Sequence, residues 1–162
     1  MQLQIISVEA AIQMTERSRS TWWRRMSKGE ATRVADDARG RAMLLWAEVQ
    51  PQLCVPLAPE DGELALLADA GYAEAQNDMG QLFLTAGKPK AAVYWFELAA
   101  AQHHPDAMQW LGHCHLYSQG VPQDDHLGLM WLAKAAAHGH VIAQELMHGL
   151  MRVELRAPAV LK

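Results

Sequence analysis

The sequence contains few cysteines, no long apolar segment and none of the short motifs that many enzymes share. Its two cysteines, Cys54 and Cys114, lie in different segments without the spacing of metal ligands, which predicts free thiols in a reducing compartment. It has no run of about 18 apolar residues, and residues 1–14 carry no basic leader, so we expect neither a membrane span nor secretion. These absences favour a cytoplasmic protein.

Catalytic patterns are also missing. The chain has no nucleophile motif, no glycine-rich loop that could hold a phosphate and no paired-carboxylate motif. The adjacent Asp124 and Asp125 are better explained as the cap of a following helix. We therefore predict a protein that is not an enzyme, with no catalytic residue, no cofactor and no metal ion.

The composition is that of a globular protein with an uneven charge. Of 162 residues, 51% are hydrophobic and 20% are charged, which argues against disorder. The net charge is −4, but residues 1–53 carry eight Lys and Arg against six Asp and Glu, whereas residues 54–162 carry six against twelve. This division suggests that the two parts have different partners.

Residues 75–144 are one unit of sequence that occurs twice and begins a third time. The matching positions are Ala75 with Ala107 and Ala143, Gly80 with Gly112, Trp95 with Trp131, and His104 with His140. The period is 32 residues and then 36, and the extra residues fall in the connection at 118–124. Each unit has two helical patterns separated by a turn, at 87–89 (Gly-Lys-Pro) or 120–122 (Gly-Val-Pro). Such hairpins stack into an α-solenoid, with the tryptophans in its core.

These residues resemble a known repeat. The pattern at 107–112, 120–124 and 131–136, with Gly139, is similar to the Sel1-like repeat, a relative of the tetratricopeptide repeat. The resemblance covers 107–143 and 75–103, and residues 67–71 look like the end of an earlier unit. It implies a concave surface that binds a protein or peptide.

Residues 1–53 have a different pattern. Ser7 and Ser18 are placed to cap two short helices, and the second helix carries Trp22 and Met26 on one apolar face. Two extended segments follow, at 31–35 and 41–46, joined by a polar turn at 36–40, and a helical turn at 47–53 ends the unit. This order resembles the excisionase-like branch of the winged helix-turn-helix family.

The resemblance implies binding to double-stranded DNA and regulation of transcription. The residues that it assigns to DNA are Arg19, Ser20, Thr21, Arg24, Arg25 and Lys28 on the second helix, with Arg39 and Arg41 from the hairpin. Arg24 or Arg25 would read a guanine, while Lys28, Arg39 and Arg41 would neutralise phosphates. The alternative is that the basic residues form only a solvated helix face.

Two further patterns have competing interpretations. Trp22, Trp23 and Trp46 could stack on single-stranded bases, but a small domain needs at least Trp22 and Trp46 in its core. All eight histidines lie beyond residue 102, which invites a metal-site interpretation. We reject it because His104 and His140 are one period apart and should occupy equivalent turns between helices.

The predicted fold is mainly α, in two parts. We expect a winged helix-turn-helix with a short β-hairpin at 1–53, a linker at 54–61, a Sel1-like solenoid at 62–153 and a tail at 154–162. The expected function is that of a DNA-binding regulator whose repeats bind a protein. The alternative is an adapter in which the N-terminal part only caps the repeat array. So few repeats need support, which could come from the N-terminal part or from a homodimer.

Overall fold

A computed structural model describes residues 3–156, which form a mainly helical protein with one small sheet. The elements are β1 (Ile5–Ser7), α1 (Val8–Thr15), α2 (Arg19–Ser27), β2 (Arg33–Val34), β3 (Met43–Leu45), α3 (Trp46–Val49), a 3₁₀ turn (Gln50–Gln52), α4 (Pro59–Ala70), α5 (Ala73–Thr85), α6 (Pro89–Ala101), α7 (Pro105–Leu116), α8 (Asp125–Ala137) and α9 (Val141–Arg156). The predicted fold class is confirmed for the solenoid. Within the described residues, no helix is both long and apolar enough to cross a membrane.

The first two helices begin at the predicted serine caps. Ser7 Oγ accepts a hydrogen bond from the backbone N–H of Ala10 at 3.2 Å, and Ser18 Oγ accepts one from that of Thr21 at 3.2 Å. Each bond satisfies one of the N–H groups that a helix start leaves unpaired. Glu16 ends α1 with a left-handed backbone, at a φ of 54°. The connection between the two helices runs only from Glu16 to Ser18.

The sheet has the order β1-β3-β2, and both pairs are antiparallel. The β2-β3 hairpin agrees with the predicted extended segments, although both strands are shorter. Strand β1 has no counterpart in the prediction, because two isoleucines are too short a run to show an alternating pattern. Ile6 pairs with Leu44 and both are fully buried, so apolar packing places β1 beside β3.

Helices α4 to α9 form the solenoid in the predicted register. The three equivalent alanines, Ala75, Ala107 and Ala143, are all buried. A Cβ added to Gly80 would come within 2.4 Å of the Phe96 ring, and one added to Gly112 within 2.9 Å of Leu132 Cγ. The glycines thus allow the two helices of each hairpin to approach closely.

The same left-handed turn recurs at the end of three helices. Gly71, His103 and Gly139 have φ values of 111°, 63° and 93°, and they follow α4, α6 and α8. Helix α4 is therefore the second helix of an earlier unit, as the sequence of residues 67–71 predicts.

Two predicted boundaries differ from the structure. Helix α4 begins at Pro59, because proline suits the first turn of a helix, so the linker predicted at 54–61 ends at 58. Helix α9 continues to Arg156, into the predicted tail at 154–162. Residues 157–162 of that tail lie outside the described part of the chain.

A buried polar network joins the N-terminal part to α4. Asp69, which is 4% exposed, accepts hydrogen bonds from the backbone N–H of Ser7 at 2.8 Å and from Ser7 Oγ. Arg41 Nη1 donates to Asp69 Oδ1 at 2.8 Å, and Arg41 Nε donates to Asp37 Oδ2 at 2.8 Å. Burial alone would lower the pKa of Arg41, but the two carboxylates raise it above its ordinary value. The N-terminal part therefore caps the first helix of the solenoid.

The N-terminal part also covers α6, and as a result the two equivalent repeat tryptophans differ in burial. Helix α1 contacts α6, and Lys88 Nζ at the start of α6 lies 2.8 Å from Glu16 Oε2. Trp95 is fully buried, whereas Trp131 is half-buried. The prediction of equivalent buried sites is wrong for Trp131, because no element among residues 3–156 covers α8 as α1 covers α6.

Candidate interaction surfaces

The predicted DNA-contacting helix, α2, divides its polar side chains between internal contacts and solvent. Arg19 Nη2 lies 2.8 Å from Glu9 Oε1. The hydroxyl groups of Ser20 and Thr21 each lie 2.9 Å from Ser18 Oγ. Arg19, Ser20 and Thr21 therefore make contacts that stabilise the start of α2.

The remaining cations of α2 differ in exposure. Arg24 and Lys28 are exposed, and neither side chain has an ionic partner among residues 3–156. Arg25 is half-buried, with its Cζ atom 5.8 Å from the centroid of the buried Trp22 ring. Trp22 and Trp46 are in the core as predicted, whereas Trp23 is 39% exposed. Arg24 and Lys28 are thus the cations of α2 that are free to meet an external anion.

The two hairpin arginines, which were predicted to contact phosphates, both bond to the solenoid, Arg39 at the surface and Arg41 in a partly buried position. Arg39 Nη2 donates to the carbonyl of Ala70 at 2.9 Å, where α4 ends. Arg41 binds Asp69 and Asp37, as described above. The physical reason is that the buried carboxylate of Asp69 needs a cation, and Arg41 is the cation that reaches it.

A second surface lies at the C-terminal end of the solenoid. A groove of about 270 Å³ runs between α7, α8 and α9. Its lining residues are Gln109, His113, Leu116, Tyr117, Leu129, Leu132, Leu146 and Leu150. We call it the α7–α9 groove. No sequence motif singled out these residues, although Leu146 stands at the position of Trp110 one period earlier.

Exposed apolar side chains are concentrated in the C-terminal part of the described chain. The exposed large hydrophobic residues of the described chain number thirteen, and nine of them lie between positions 117 and 153. Those nine are Tyr117, Leu129, Met130, Val141, Ile142, Leu146, Leu150, Met151 and Val153. Four of these nine, Tyr117, Leu129, Leu146 and Leu150, line the α7–α9 groove, and exposed apolar side chains that cluster at one place often mark a binding site.

Aromatic rings connect the solenoid core to this groove. Phe96 and Trp110 are stacked with their centroids 6.0 Å apart, and Trp110 meets His113 edge to face at 5.8 Å. The ring of His113 is in turn 4.5 Å from that of Tyr117, which is 65% exposed. These four rings therefore form a row that runs from the packed interface between α6 and α7 to the rim of the groove.

The repeat histidines act as helix caps. His104 Nδ1 accepts from the N–H of Ala107 at 3.4 Å, and His140 Nδ1 accepts from that of Ala143 at 3.1 Å. The Nε2 atoms face carboxylates, Glu74 at 2.8 Å and Asp106 at 3.5 Å. The predicted equivalence of the two histidines is confirmed. Among residues 3–156, no three His, Cys, Asp or Glu side chains are grouped so that they could hold a metal ion.

Comparisons with known proteins agree with the repeat geometry. The model of the Sel1 repeat matches residues 73–104 and 105–140. A solved Sel1 repeat protein from Oxalobacter formigenes is 33% identical over 54% of this chain, with a TM-score of 0.50. The chain covers 26% of that protein, so it spans about a quarter of its length. These findings confirm the Sel1-like prediction for the repeat part.

A second solved structure is c5321, described as a protective antigen present in uropathogenic Escherichia coli strains displaying an SLR fold. It is 26% identical over 51% of this chain and 19% of its own, with a TM-score of 0.47. No curated protein sequence matches the chain significantly.

Proposed function

We propose that this chain, whose residues 73–140 are two Sel1 repeats, is a non-catalytic protein that binds another protein or peptide. The observation that carries the proposal is the α7–α9 groove, which is lined by four exposed large hydrophobic residues, Tyr117, Leu129, Leu146 and Leu150. Gln109, His113 and Tyr117 at this groove supply hydrogen-bonding groups beside the leucines. The unpaired Cys54 and Cys114 support a reducing compartment such as the cytoplasm.

Site-directed photocrosslinking in cells tests this function. A photoreactive phenylalanine analogue at Leu150, in the groove, should give a discrete crosslinked product. The same analogue at Lys90, which is exposed on α6, is the matched control and should give none. A product of twice the mass of the chain would identify the partner as a second copy. Absence of a product at Leu150, or the same products at both positions, would contradict the proposal.

The second candidate function is binding of double-stranded DNA by α2, as part of a winged helix-turn-helix that regulates transcription. It is favoured by the capped pair α1 and α2, the tight turn at Glu16 and the β2-β3 hairpin that follows. Arg24 and Lys28 supply exposed positive charge on α2. Because Arg39 and Arg41 are engaged with the solenoid, we assign the electrostatic part of DNA binding to Arg24 and Lys28.

Fluorescence anisotropy across a salt series distinguishes DNA binding from the adapter alternative. The wild-type chain should bind a duplex at low salt, and its affinity should fall steeply as salt rises. The double variant Arg24→Ala, Lys28→Ala should bind more weakly, with the salt slope reduced by about one for each phosphate that the protein no longer neutralises. Lys90→Ala, which removes a charge from the solenoid, should bind as the wild type does. Equal, negligible binding by all three proteins would instead favour an adapter whose N-terminal part only caps the array.

A further inference from the structure

The first repeat unit shows what fills the space between three successive helices. Trp110 projects from α7 and stacks on Phe96 of α6, with an angle of 11° between the ring planes. Phe96 in turn packs against Gly80 of α5, where even a Cβ would clash with its ring. An indole and a phenyl ring together therefore close the junction of α5, α6 and α7.

The second unit has the same geometry with smaller side chains. Leu132 takes the place of Phe96, because it packs against Gly112 as Phe96 packs against Gly80. Leu146 of α9 takes the place of Trp110, since it lies one period of 36 residues further along the chain. Both substitutions remove an aromatic ring. Leu132 and Leu146 both line the α7–α9 groove, whose volume is about 270 Å³, so the groove lies where the first unit places these two rings.

His113 adds an aromatic ring to the lining of this space. His113 lines the groove, and its Nδ1 atom is buried without a hydrogen-bond partner among residues 3–156. Because this atom is buried, a ligand in the groove would contact other atoms of the His113 ring.

We propose that the α7–α9 groove binds an aromatic side chain of a partner peptide, and that tryptophan is the residue it fits. This inference rests on the proposed protein-binding function and names the anchor that the partner supplies. The indole would lie against Leu132 as Trp110 lies against Phe96, with Gln109, His113 and Tyr117 as the polar lining residues beside it. Aromatic side chains are frequent anchors at interfaces because they bury much apolar area with few rotatable bonds.

Indole itself is the probe that tests the proposal. The full chain, with its leucine methyl groups isotopically labelled, is titrated with indole and followed by NMR. The largest shifts should occur at Leu132, Leu146 and Leu150, and N-acetyl-leucinamide should cause smaller ones. Shifts spread evenly over exposed leucines, or equal effects of the two compounds, would overturn the proposal.

A pair of tryptophan substitutions supplies the matched comparison. Leu146→Trp should fill the groove from within, raise the melting temperature and weaken indole binding by about tenfold or more. Leu67→Trp on α4 starts from a similar exposure, 42% against 47% for Leu146, and should leave indole binding unchanged. Unchanged indole binding in Leu146→Trp would refute the inference. If that variant fails to fold, Leu150→Lys, at a site that is 46% exposed, should abolish indole binding by placing a charge in the groove.

The crosslinking experiment separates this inference from the function on which it rests. A partner crosslinked at Leu150 together with no indole binding would leave the protein-binding function standing and remove the aromatic anchor. Indole binding without any crosslinked partner would contradict the proposed function while leaving the pocket itself established.

Discussion

Trp95 and Trp131 occupy the same position in successive repeats, so they form an internal comparison of buried and half-buried tryptophan. Trp95 is 0% exposed, and its neighbour Tyr94 lies close enough to Asp69 and Arg41 for their charges to affect its pKa. Met130, which corresponds to Tyr94, is 40% exposed. The same helix face is therefore covered in the first unit and open in the second. We predict that replacing each tryptophan by alanine will have clearly different costs.

The magnitudes follow from this difference in environment. Trp95→Ala leaves a closed cavity and should lower the free energy of unfolding by about 3–5 kcal/mol. Trp131→Ala leaves a surface depression that water can fill. It also removes the contact between the Trp131 ring and Lys134 Nζ, which lies 4.6 Å from the ring centroid. The partial loss of burial and of this cation–π contact should together cost about 1–2 kcal/mol.

Urea denaturation followed by circular dichroism measures both costs. Six tryptophans are present in the chain, so a fluorescence signal survives either substitution and gives a second probe of the transition. If the two substitutions lower the free energy of unfolding by the same amount, within about 1 kcal/mol, the N-terminal part does not bury Trp95 more than Trp131 is buried. A larger cost at Trp131 would mean that another element covers α8.

Three other outcomes are expected. Asp69→Ala should lower the free energy of unfolding by about 3 kcal/mol, because it leaves Arg41 without its buried partner, whereas the exposed control Asp78→Ala should cost under about 0.5 kcal/mol in the same urea titration. Burial, and then the charge of Asp69, raise the pKa of Tyr94 to about 12. Since an unfolded tyrosine ionises near pH 10, stability should fall as the pH rises from about 10 to 12, and Tyr94→Phe should reduce that fall in melting temperature. A chelator should leave the melting temperature unchanged; stoichiometric bound zinc whose removal unfolds the chain would contradict this.

The solenoid could be predicted from the sequence because its signals are local and repeated. Gly80 and Gly112 lie where helices touch, and the turns fall at glycine and proline, so each unit independently predicts the same hairpin. The caps at Ser7 and Ser18 are equally local, since each bond spans three residues. Periodicity and capping rules are sufficient for features of this kind.

The features that the sequence did not predict depend on contacts between distant residues. The pairing of Arg41 with Asp69 joins a hairpin to a helix 28 positions further along the chain, and no spacing rule anticipates it. The half-burial of Trp131 depends on the N-terminal part covering one unit and not the other. The α7–α9 groove arises where the two repeat units differ in sequence. Aligning the units to find their shared residues does not identify such a position.

The network around Asp69 has a consequence for ligands that contact two places at once. Because Ser7 and Arg41 are both bonded to this one carboxylate, the N-terminal part that carries α2 is joined to the solenoid by direct contacts and not only by the chain connection. A flexible tether would give a moderate gain in avidity to two-site ligands of many lengths. A rigid connection instead gives a large gain to ligands whose two binding elements match the separation and none to the others. If α2 and the α7–α9 groove both bind as proposed, the chain would therefore select two-site ligands by length as well as by chemistry.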